Sequence, residues 1–354
     1  MTKVDIVTAT QALPGKLFQS AQDKKHVKAL EAELAKVEEG LLENLRFASP
    51  VADAPARYLA EAGGKRIRPL LTLLVSELGD GPTPQVRRVA QAIELTHLAT
   101  LYHDDVMDEA GLRRGVPAAH KAWSNSVAIL AGDLLFARAS TVVAEFGREA
   151  ILLQAETFER LCIGQLHETV GPQPGEDRIA HYLQVLADKT GSLIACAARM
   201  GGLVSRAPRE YLDPVTAYGE EIGLAFQLID DVIDLSPSKK QTGKRAGTDL
   251  RAGVATLPLL LLQQRAGEDA QAADLLQRIE AGVAAVAAGA DAEVMDTEVA
   301  ELRAHEVTAE TARQARQAAD RAVAALAPLP DSGPQGGVKR ALVKLAETIV
   351  ERKG

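Results

Sequence analysis

The sequence predicts an all-α protein, on three observations. Hydrophobic residues make up 47% of the 354 positions and charged residues 25%, a balance typical of a globular chain that buries a core. Aromatic residues account for only 3%, and long stretches consist of Ala, Leu, Glu, Arg and Gln, which favour helices over strands. Apolar residues recur at helical spacing, and no alternating stretch of strand type stands out.

The first helix is predicted from about residue 24 to residue 45, where Leu30, Leu34 and Leu41 lie on one apolar stripe. Further periodic segments follow, and none of the breaks between them is long and polar enough to be an interdomain linker. We therefore predict a flexible segment over residues 1–23 and one all-α domain of many helices over residues 24–354. The breaks are rich in Gly and Pro and fall at residues 79–82, 171–175, 207–208, 236–248 and 328–337.

Charge and cysteine content exclude several classes of protein. The chain has 40 basic and 48 acidic residues, and a net charge of −8 argues against binding nucleic acid through phosphate neutralisation. Cys162 and Cys196 are too few for a disulfide framework or a repeated metal-binding pair, so buried free thiols are the simplest interpretation. The first residues do not resemble a signal peptide, and we expect no apolar run of about 18 residues that would cross a bilayer. A cytoplasmic protein without a transmembrane segment is expected.

Two acidic clusters of the form DDxxD stand out, at residues 104–108 and 230–234. Each follows a segment of helical apolar period, which predicts that both clusters lie on helices. Asp104 and Asp108 then project from one face, as do Asp230 and Asp234, because positions four apart share a face of a helix. Asp105 and Asp231 are turned away from those faces.

Clustered carboxylates repel one another unless a cation neutralises them. Mg²⁺ is usually held by one or two carboxylates while it keeps water and substrate phosphate oxygens, so the clusters indicate a magnesium–diphosphate site. The alternative is a solvated helix end that happens to be acidic. Two copies at the ends of apolar helices favour the metal interpretation.

Basic residues concentrate where a diphosphate could bind. Residues 63–69 read Gly-Gly-Lys-Arg-Ile-Arg-Pro, and Arg113-Arg114-Gly115 follows the first acidic cluster. Pro69 and the leucines after it predict a helix start, and a helix N-terminus with nearby Lys and Arg suits a diphosphate. A basic loop that is only solvated is the alternative.

These motifs together resemble the trans-isoprenyl diphosphate synthases, the polyprenyl synthetase family. The resemblance extends from about residue 57 to residue 258, with order and spacing in agreement. The matching segments are GGKRIRP, HLATLYHDDVMD, RRG, AGDLLFARA, GQ with a nearby Glu, KTGSLI, FQLIDDVID and GKRAGTDL.

The resemblance implies an isoprenoid-synthase-type bundle of helices around a central cavity, usually a homodimer. It also implies Mg²⁺-dependent condensation of isopentenyl diphosphate with an allylic diphosphate, with three ions once substrate is bound. The implied metal ligands, which stabilise the departing diphosphate, are Asp104, Asp105, Asp108, Asp230, Asp231 and Asp234.

Three further residues are implied to lie beside the ionising carbon. Lys189 would also contact the departing diphosphate, while Thr190 and Gln227 would offer oxygen dipoles to the cation. The alternative for the Lys189-Thr190-Gly191 segment is a helix-end cap.

By the same resemblance, isopentenyl diphosphate would be held by Lys65, Arg68, His97 and Arg114. The alternative for His97 is an ordinary hydrogen-bonded core histidine. Arg113 and Lys244 match positions on the allylic diphosphate, and no protein nucleophile is needed.

One departure from the family pattern lies after Asp249. The family commonly has a second loop lysine there, and this chain has Val254 instead. Closure of that loop over the allylic diphosphate is therefore in doubt, although Lys244 and Arg245 could compensate.

Chain length is predicted from the positions four and five before Asp104. Thr100 and Ala99 are small there, where short-chain family members carry aromatic rings, so we expect an open tunnel and a long all-trans product, hexaprenyl to decaprenyl, for a quinone side chain. Facing helices could still close the tunnel, which keeps a geranylgeranyl diphosphate synthase as the main alternative. A class I terpene cyclase and a non-catalytic synthase subunit are further alternatives.

Overall fold

The structure, a computed structural model, describes residues 23–236 and 245–352. Over that range it is helical apart from one two-stranded hairpin, which confirms the all-α prediction. The predicted flexible segment 1–23 lies almost wholly outside the described residues. The α-helices are α1 Asp23–Asn44, α2 Pro50–Glu61, α3 Ile67–Ser76, α4 Pro84–Met107, α5 Ala119–Ala122, α6 Asn125–Val143, α7 Arg148–Val170, α8 Arg178–Leu186, α9 Ser192–Val204, α10 Arg209–Asp234, α11 Thr248–Arg251, α12 Leu257–Arg265, α13 Ala270–Ala287, α14 Asp296–Ala304, α15 Glu306–Ala325 and α16 Gly333–Val350.

The chain divides into two compact units. In described residues, the first unit comprises 23–159, 193–219 and 325–345, and the second comprises 160–192, 220–236, 245–324 and 346–352. The prediction of a single domain stays a prediction.

Helix α1 confirms the first periodic segment, since its apolar stripe is buried. The predicted breaks also separate helices where they are described, except that α16 begins at Gly333, inside the break expected at 328–337. The apolar stripe of α16 explains the difference, because Val338, Leu342 and Leu345 are buried on one side of it.

Helix α4 carries the first acidic cluster at its C-terminal end. It begins with Thr83 as N-cap, whose hydroxyl accepts a hydrogen bond from the Val86 amide at 3.3 Å, and with Pro84 in the first turn. Helix α10 begins directly after the break at Ala207-Pro208 and ends at Asp234. Both acidic clusters therefore lie at the C-terminal ends of long helices, as predicted.

A short hairpin follows the first acidic cluster. Strand β1 Leu112–Arg113 pairs antiparallel with β2 Val116–Pro117, and Arg114 and Gly115 between them both have positive φ, at 53° and 79°. Two-residue hairpin turns of the I′ type require positive φ at both central residues, and a glycine at the second tolerates it readily. The sequence did not predict these strands, which are too short to show an alternating pattern.

Helix α6 corrects one expectation. With the turn after it, the segment Asn125–Phe146 is long and apolar enough to cross a membrane by length and composition, whereas no such run was expected. Polar residues at its ends and Asp133 and Arg138 within it made the run look shorter than it is. A core helix of a soluble protein passes the same test, and Ala128, Leu135 and Val142 of α6 are buried within the first unit.

Candidate active site

The first acidic cluster divides into two kinds of carboxylate. Asp105 is fully buried; its Oδ1 accepts a hydrogen bond from Nε of Arg113 at 2.6 Å and lies 2.6 Å from Nη2 of the same guanidinium in an ion pair. Asp104 is half-buried, and Asp108 is exposed as the C-cap of α4. The phase of the helix therefore leaves Asp104 and Asp108 accessible and turns Asp105 toward Arg113 of the hairpin, with which it pairs.

The donor chemistry of this cluster fits a hard divalent cation. Its ligand atoms are carboxylate oxygens, and Oδ2 of Asp105 is buried without a hydrogen-bond partner among the described residues. Within those residues, no three His, Cys, Asp or Glu side chains are grouped so as to hold a metal ion by themselves. Mg²⁺ takes one or two carboxylates and fills its remaining positions with water and phosphate oxygens.

The basic loop is held by an arginine that sequence reasoning did not single out. Arg66 has a left-handed backbone, with φ 50°, and a buried side chain. Its guanidinium donates to Glu94 at 2.7 Å and, with two nitrogens, to Glu38 at 2.6 and 2.7 Å. Burial alone would lower the pKa of Arg66, but Glu94 and Glu38 outweigh it and raise that pKa. The only local signal was Glu94 itself, an acidic residue in an otherwise apolar stretch of α4.

The residues assigned to isopentenyl diphosphate form a cationic group around one neutral ring. Burial, followed by the charges of Arg68 and Arg114, lowers the pKa of His97 well below its ordinary value, so the imidazole is neutral at pH 7. Burial also lowers the pKa of Arg114, to about 10, and that side chain stays charged. Nε of Arg68 is buried without a hydrogen-bond partner in the described part of the chain, while Lys65 is exposed.

The backbone positions Arg114 within this group. Its Nη1 donates to the carbonyl oxygens of Leu59, at 3.0 Å, and of Gly63, while Nη2 lies 3.8 Å from a carboxylate oxygen of Glu94. A Cβ on Gly64 would lie 3.0 Å from the Arg114 guanidinium, so a larger residue there would require the guanidinium to shift by a few tenths of an ångström. The two predicted basic motifs thus contact each other within the first unit.

The second acidic cluster, in the second unit, shows the same division. Asp231 is buried and accepts hydrogen bonds from the Tyr182 hydroxyl at 2.8 Å and the Leu257 amide at 3.3 Å. Burial, together with the nearby charges of Asp249 and Asp230, raises the pKa of Asp231 to about 7. The second aspartate of each motif is therefore the buried one.

The outer aspartates of this cluster have different contacts. Asp234 accepts hydrogen bonds from the amides of Thr248 and Asp249, at 3.2 and 3.1 Å, which fixes the start of α11. Asp230 is half-buried and forms an ion pair with Arg352 at 2.8 Å, and Arg352 also lies over the Phe226 ring. As in the first cluster, the atoms that could bind a cation are carboxylate oxygens.

Lys189 and Thr190 lie in a π-helical turn, Ala187–Gly191, between α8 and α9. Such turns are rare and often mark functional sites. The Lys189 ammonium donates to Glu168 near the end of α7, and both Thr190 and Gln227 are half-buried. The alternative of a helix-end cap is wrong, because helical turns continue on both sides of these residues.

The predicted chain-length residues belong to the first unit. Ala99 is fully buried, and the Thr100 hydroxyl donates to the His97 carbonyl oxygen at 2.8 Å. Nearby Tyr102 is fully buried, and its hydroxyl donates to the Pro55 carbonyl oxygen.

Helix α6 packs antiparallel to α4 in this region. His103 Nε2 lies 3.3 Å from the Asp133 carboxylate, at the middle of α6, while Arg88 Nε donates at 2.9 Å to Glu145 just beyond the end of α6. Moving toward the start of α4 therefore means moving toward the end of α6.

This register brings an aromatic ring to the depth of Ala99. The His103 ring lies where a Cβ on Gly132 would be, so these two residues are at the same level of the two helices. Ala99 precedes His103 by about one turn of α4, and Phe136 follows Gly132 by about one turn of α6. Phe136 stacks on Phe158 of α7, with ring centroids 3.7 Å apart. The sequence predicted an open floor on α4 and left residues 127–135 and 158–164 of the facing helices as segments that could close it. Phe158 lies in the second of these segments, and Phe136 directly follows the first.

The loop after α10 carries the departure from the family pattern. Val254 is exposed, and its amide donates to the Asp249 carbonyl oxygen at 2.9 Å. Lys244, assigned to the allylic diphosphate, lies outside the described residues. Arg245, the other suggested compensating cation, donates to Asp291 at 3.1 Å and to Glu293 at 2.8 Å.

The family model for polyprenyl synthetase matches residues 49–292. The chain belongs to the polyprenyl synthetase family. The match extends past Pro258, where the sequence motifs of the resemblance end. Because the chain belongs to this family, the alternative of a class I terpene cyclase is excluded.

Named relatives include synthases of long and of shorter chains. The nonaprenyl diphosphate synthase of Mycobacterium tuberculosis is 47% identical over 68% of this chain and 72% of its own length. A crystal structure of the Caulobacter crescentus polyprenyl synthase, complexed with calcium and isoprenyl diphosphate, is 32% identical, with a TM-score of 0.80 and coverage of 93% of this chain and 97% of that one. The geranylgeranyl pyrophosphate synthase of Corynebacterium glutamicum, with the same ligands, is 37% identical, with a TM-score of 0.77 and coverage of 93% and 98%.

Proposed function

We propose that this prenyltransferase is an all-trans polyprenyl diphosphate synthase that adds isopentenyl diphosphate repeatedly to an allylic diphosphate and makes a hexaprenyl to decaprenyl chain for a quinone side chain. The observation that carries the long product is the pair of small residues Ala99 and Thr100 on the face of α4 that leads to Asp104. The 47% identity to a nonaprenyl diphosphate synthase supports the same length.

Both acidic clusters are proposed to hold Mg²⁺, with three ions when substrate is bound. Asp104, Asp105 and Asp108 would serve the first cluster, where Arg113 contacts Oδ1 of Asp105 and leaves Oδ2 without a hydrogen bond among the described residues. Asp230, Asp231 and Asp234 would serve the second. Bound Mg²⁺ neutralises the diphosphate and stabilises it as a leaving group.

Isopentenyl diphosphate is proposed to bind among Lys65, Arg68, Arg114 and neutral His97. The two arginines supply charge and planar donors, and the buried Nε of Arg68 is a donor that a phosphate oxygen would satisfy. The neutral ring of His97 donates one N–H to the diphosphate without adding to the repulsion among the cations.

In each round the allylic C–O bond breaks and the electron pair leaves with the diphosphate, to which Arg113, Lys189 and Lys244 are proposed to bind. Thr190 and Gln227 direct oxygen dipoles at the allylic cation. The π-bond of isopentenyl diphosphate attacks that cation, and the departed diphosphate removes a proton to leave a new double bond. No protein nucleophile takes part.

The test is a condensation assay on the purified chain with radiolabelled isopentenyl diphosphate, farnesyl diphosphate and Mg²⁺. We expect labelled prenyl product, its loss with EDTA, and its recovery when Mg²⁺ is restored. Asp104→Asn should reduce the rate by several orders of magnitude while Asp133→Asn, on the exposed face of α6, should not. A homomeric preparation that never forms product would contradict the proposal and favour the non-catalytic subunit.

A geranylgeranyl diphosphate synthase is the second candidate, and one observation favours it. The Phe136–Phe158 stack at the depth of Ala99 could stop the growing chain early. The length of the product distinguishes the two candidates.

A homodimer is proposed as the assembly. Helices α6 and α7 expose Ile129, Leu130, Ile151 and Leu152 in the first unit, at 42%, 61%, 43% and 45%. A second copy would remove this apolar surface from water. Light scattering should give twice the chain mass, and Leu130→Glu should lower it.

A further inference from the structure

The π-helical turn Ala187–Gly191 needs support from outside itself. Turns of this kind are rare, so we expect a sequence to adopt one where tertiary contacts stabilise it. This turn carries Lys189 and Thr190, and an α-helical turn in its place would hold one residue fewer. The two side chains would then rotate by up to about 100° relative to α7.

Arg160 of α7 connects this turn to α10. Its Nε donates to Asp188 Oδ1 at 2.9 Å, inside the turn. Nη1 and Nη2 donate to the two carboxylate oxygens of Glu220, at 2.5 and 3.1 Å. The hydrogen bonds that Arg160 donates to Glu220, and then the one that it donates to Asp188, raise the pKa of Arg160, so the guanidinium is permanently charged.

Asp188 is fixed from its other side as well. Its Oδ2 accepts from the Gln184 amide at 2.7 Å, and its backbone carbonyl accepts from the Ser192 hydroxyl at 2.5 Å. Asp188 is buried, so each of these bonds is shielded from competing water.

Glycines bring the helices close enough for this arrangement. A Cβ on Gly164 of α7 would lie 2.9 Å from the Lys189 amide nitrogen, and a Cβ on Gly223 of α10 would lie 2.5 Å from the Gly191 Cα. The turn is thus packed backbone to backbone between two helices, and Arg160 links both of them to it.

We propose that Arg160 is a positioning residue: through Asp188 and Glu220 it holds the π-helical turn in the conformation that presents Lys189 to the departing diphosphate and Thr190 to the allylic cation. The expected effect on kcat rests on the proposed function, whereas the expected effect on the structure of the π-helical turn does not. Arg160 acts through the turn and touches no substrate.

The chain offers a matched control beside Glu220. Glu221, the next residue of α10, also accepts two hydrogen bonds from an arginine, Arg321, at 2.9 and 2.8 Å. Glu220→Gln and Glu221→Gln therefore remove equivalent charges from adjacent positions, and only the first weakens the link to the π-helical turn.

The kinetic experiment compares these variants with Arg160→Met and Arg160→Lys. Arg160→Met should lower kcat on the order of 10²-fold, as expected for a misplaced catalytic group, with the KM for isopentenyl diphosphate within about twofold of the wild type. Arg160→Lys, which keeps a charge and one hydrogen bond, should recover part of the rate. Glu220→Gln should lower kcat and Glu221→Gln should not; equal effects of the two would overturn the proposal.

Two further readouts separate positioning from general loss of structure. Adding Arg160→Met to the double variant Lys189→Ala/Thr190→Val should leave the kcat of that double variant unchanged, whereas a further loss would show that Arg160 acts elsewhere. Deuterium uptake should rise in peptides covering residues 184–192 of Arg160→Met, at unchanged melting temperature. If the wild type made no prenyl product, the proposed function would fail, and deuterium uptake alone would decide this inference; unchanged uptake would refute it.

Discussion

Replacing Glu94 by Gln tests whether the buried ion pair between Glu94 and Arg66 holds the proposed isopentenyl diphosphate site in place. Glu94 and Arg66 are 2% and 3% exposed, and their side chains meet at 2.7 Å. Removing the charge from one member of a buried ion pair leaves the other uncompensated, which typically costs about 3–5 kcal/mol. Glu38 still binds Arg66 through two hydrogen bonds, so we expect the low end of that range, about 3 kcal/mol.

The same substitution should weaken substrate binding. Arg66 has a left-handed conformation between Lys65 and the first turn of α3, which carries Arg68, and its ion pair with Glu94 holds this segment against α4. We expect the KM for isopentenyl diphosphate to rise by about tenfold, equivalent to about 1.4 kcal/mol, because the loop loses its fixed geometry. The kcat at saturating substrate should change far less, since Glu94 does not contact the reacting carbons.

Urea denaturation and steady-state kinetics check the two parts of this prediction. Glu145→Gln is the control, because its pair with Arg88 is 47% and 42% exposed and should contribute at most about 1 kcal/mol. If Glu94→Gln were no less stable than Glu145→Gln, the buried network would not stabilise the loop, and the reasoning would be refuted.

Four further predictions concern the tunnel, the loop after α10 and pH. Ala99→Phe should shorten the product by filling the tunnel, and an unaltered length would show that the tunnel runs elsewhere. Phe136→Ala should lengthen the product by removing the ring stacked on α7, as measured by chromatography of the dephosphorylated chains; identical products would place the floor at another residue. Val254→Lys should lower the KM for the allylic diphosphate several-fold by restoring a loop cation, and unchanged kinetics would remove that explanation. Burial raises the pKa of Glu77 to about 7, so the folded chain binds a proton there more tightly than the unfolded chain, and stability is lost as pH rises from about 4.5 to about 7. Glu77→Gln should remove that loss, a gain of up to about 3 kcal/mol at pH 8 and none at pH 4, measured by urea denaturation.

The helices and the acidic clusters could be predicted because their signals are local. Apolar residues at helical spacing before Asp104 and Asp230 placed both clusters on helices. Helical phase also separated Asp105 and Asp231 from their neighbours, and both are the buried members in the structure. Periodicity and side-chain phase depend only on nearby residues, so the sequence contains them directly.

The supporting contacts could not be predicted because they join distant segments. Arg66 is held by residues 28 positions away on either side, and Arg160 by Asp188 and Glu220, 28 and 60 positions away. The π-helical turn at Lys189 has no composition of its own, since it results from the packing of its neighbours. The hairpin that places Arg114 has strands of only two residues, too short to show a period of two.

The length of the product tests the central claim most directly. The purified chain would be incubated with Mg²⁺, labelled isopentenyl diphosphate and each allylic diphosphate in turn, and the dephosphorylated products resolved by chain length. The account predicts hexaprenyl or longer chains from a single polypeptide species. A product that stops at geranylgeranyl length would contradict the open tunnel at Ala99 and Thr100 and assign the floor to Phe136 and Phe158.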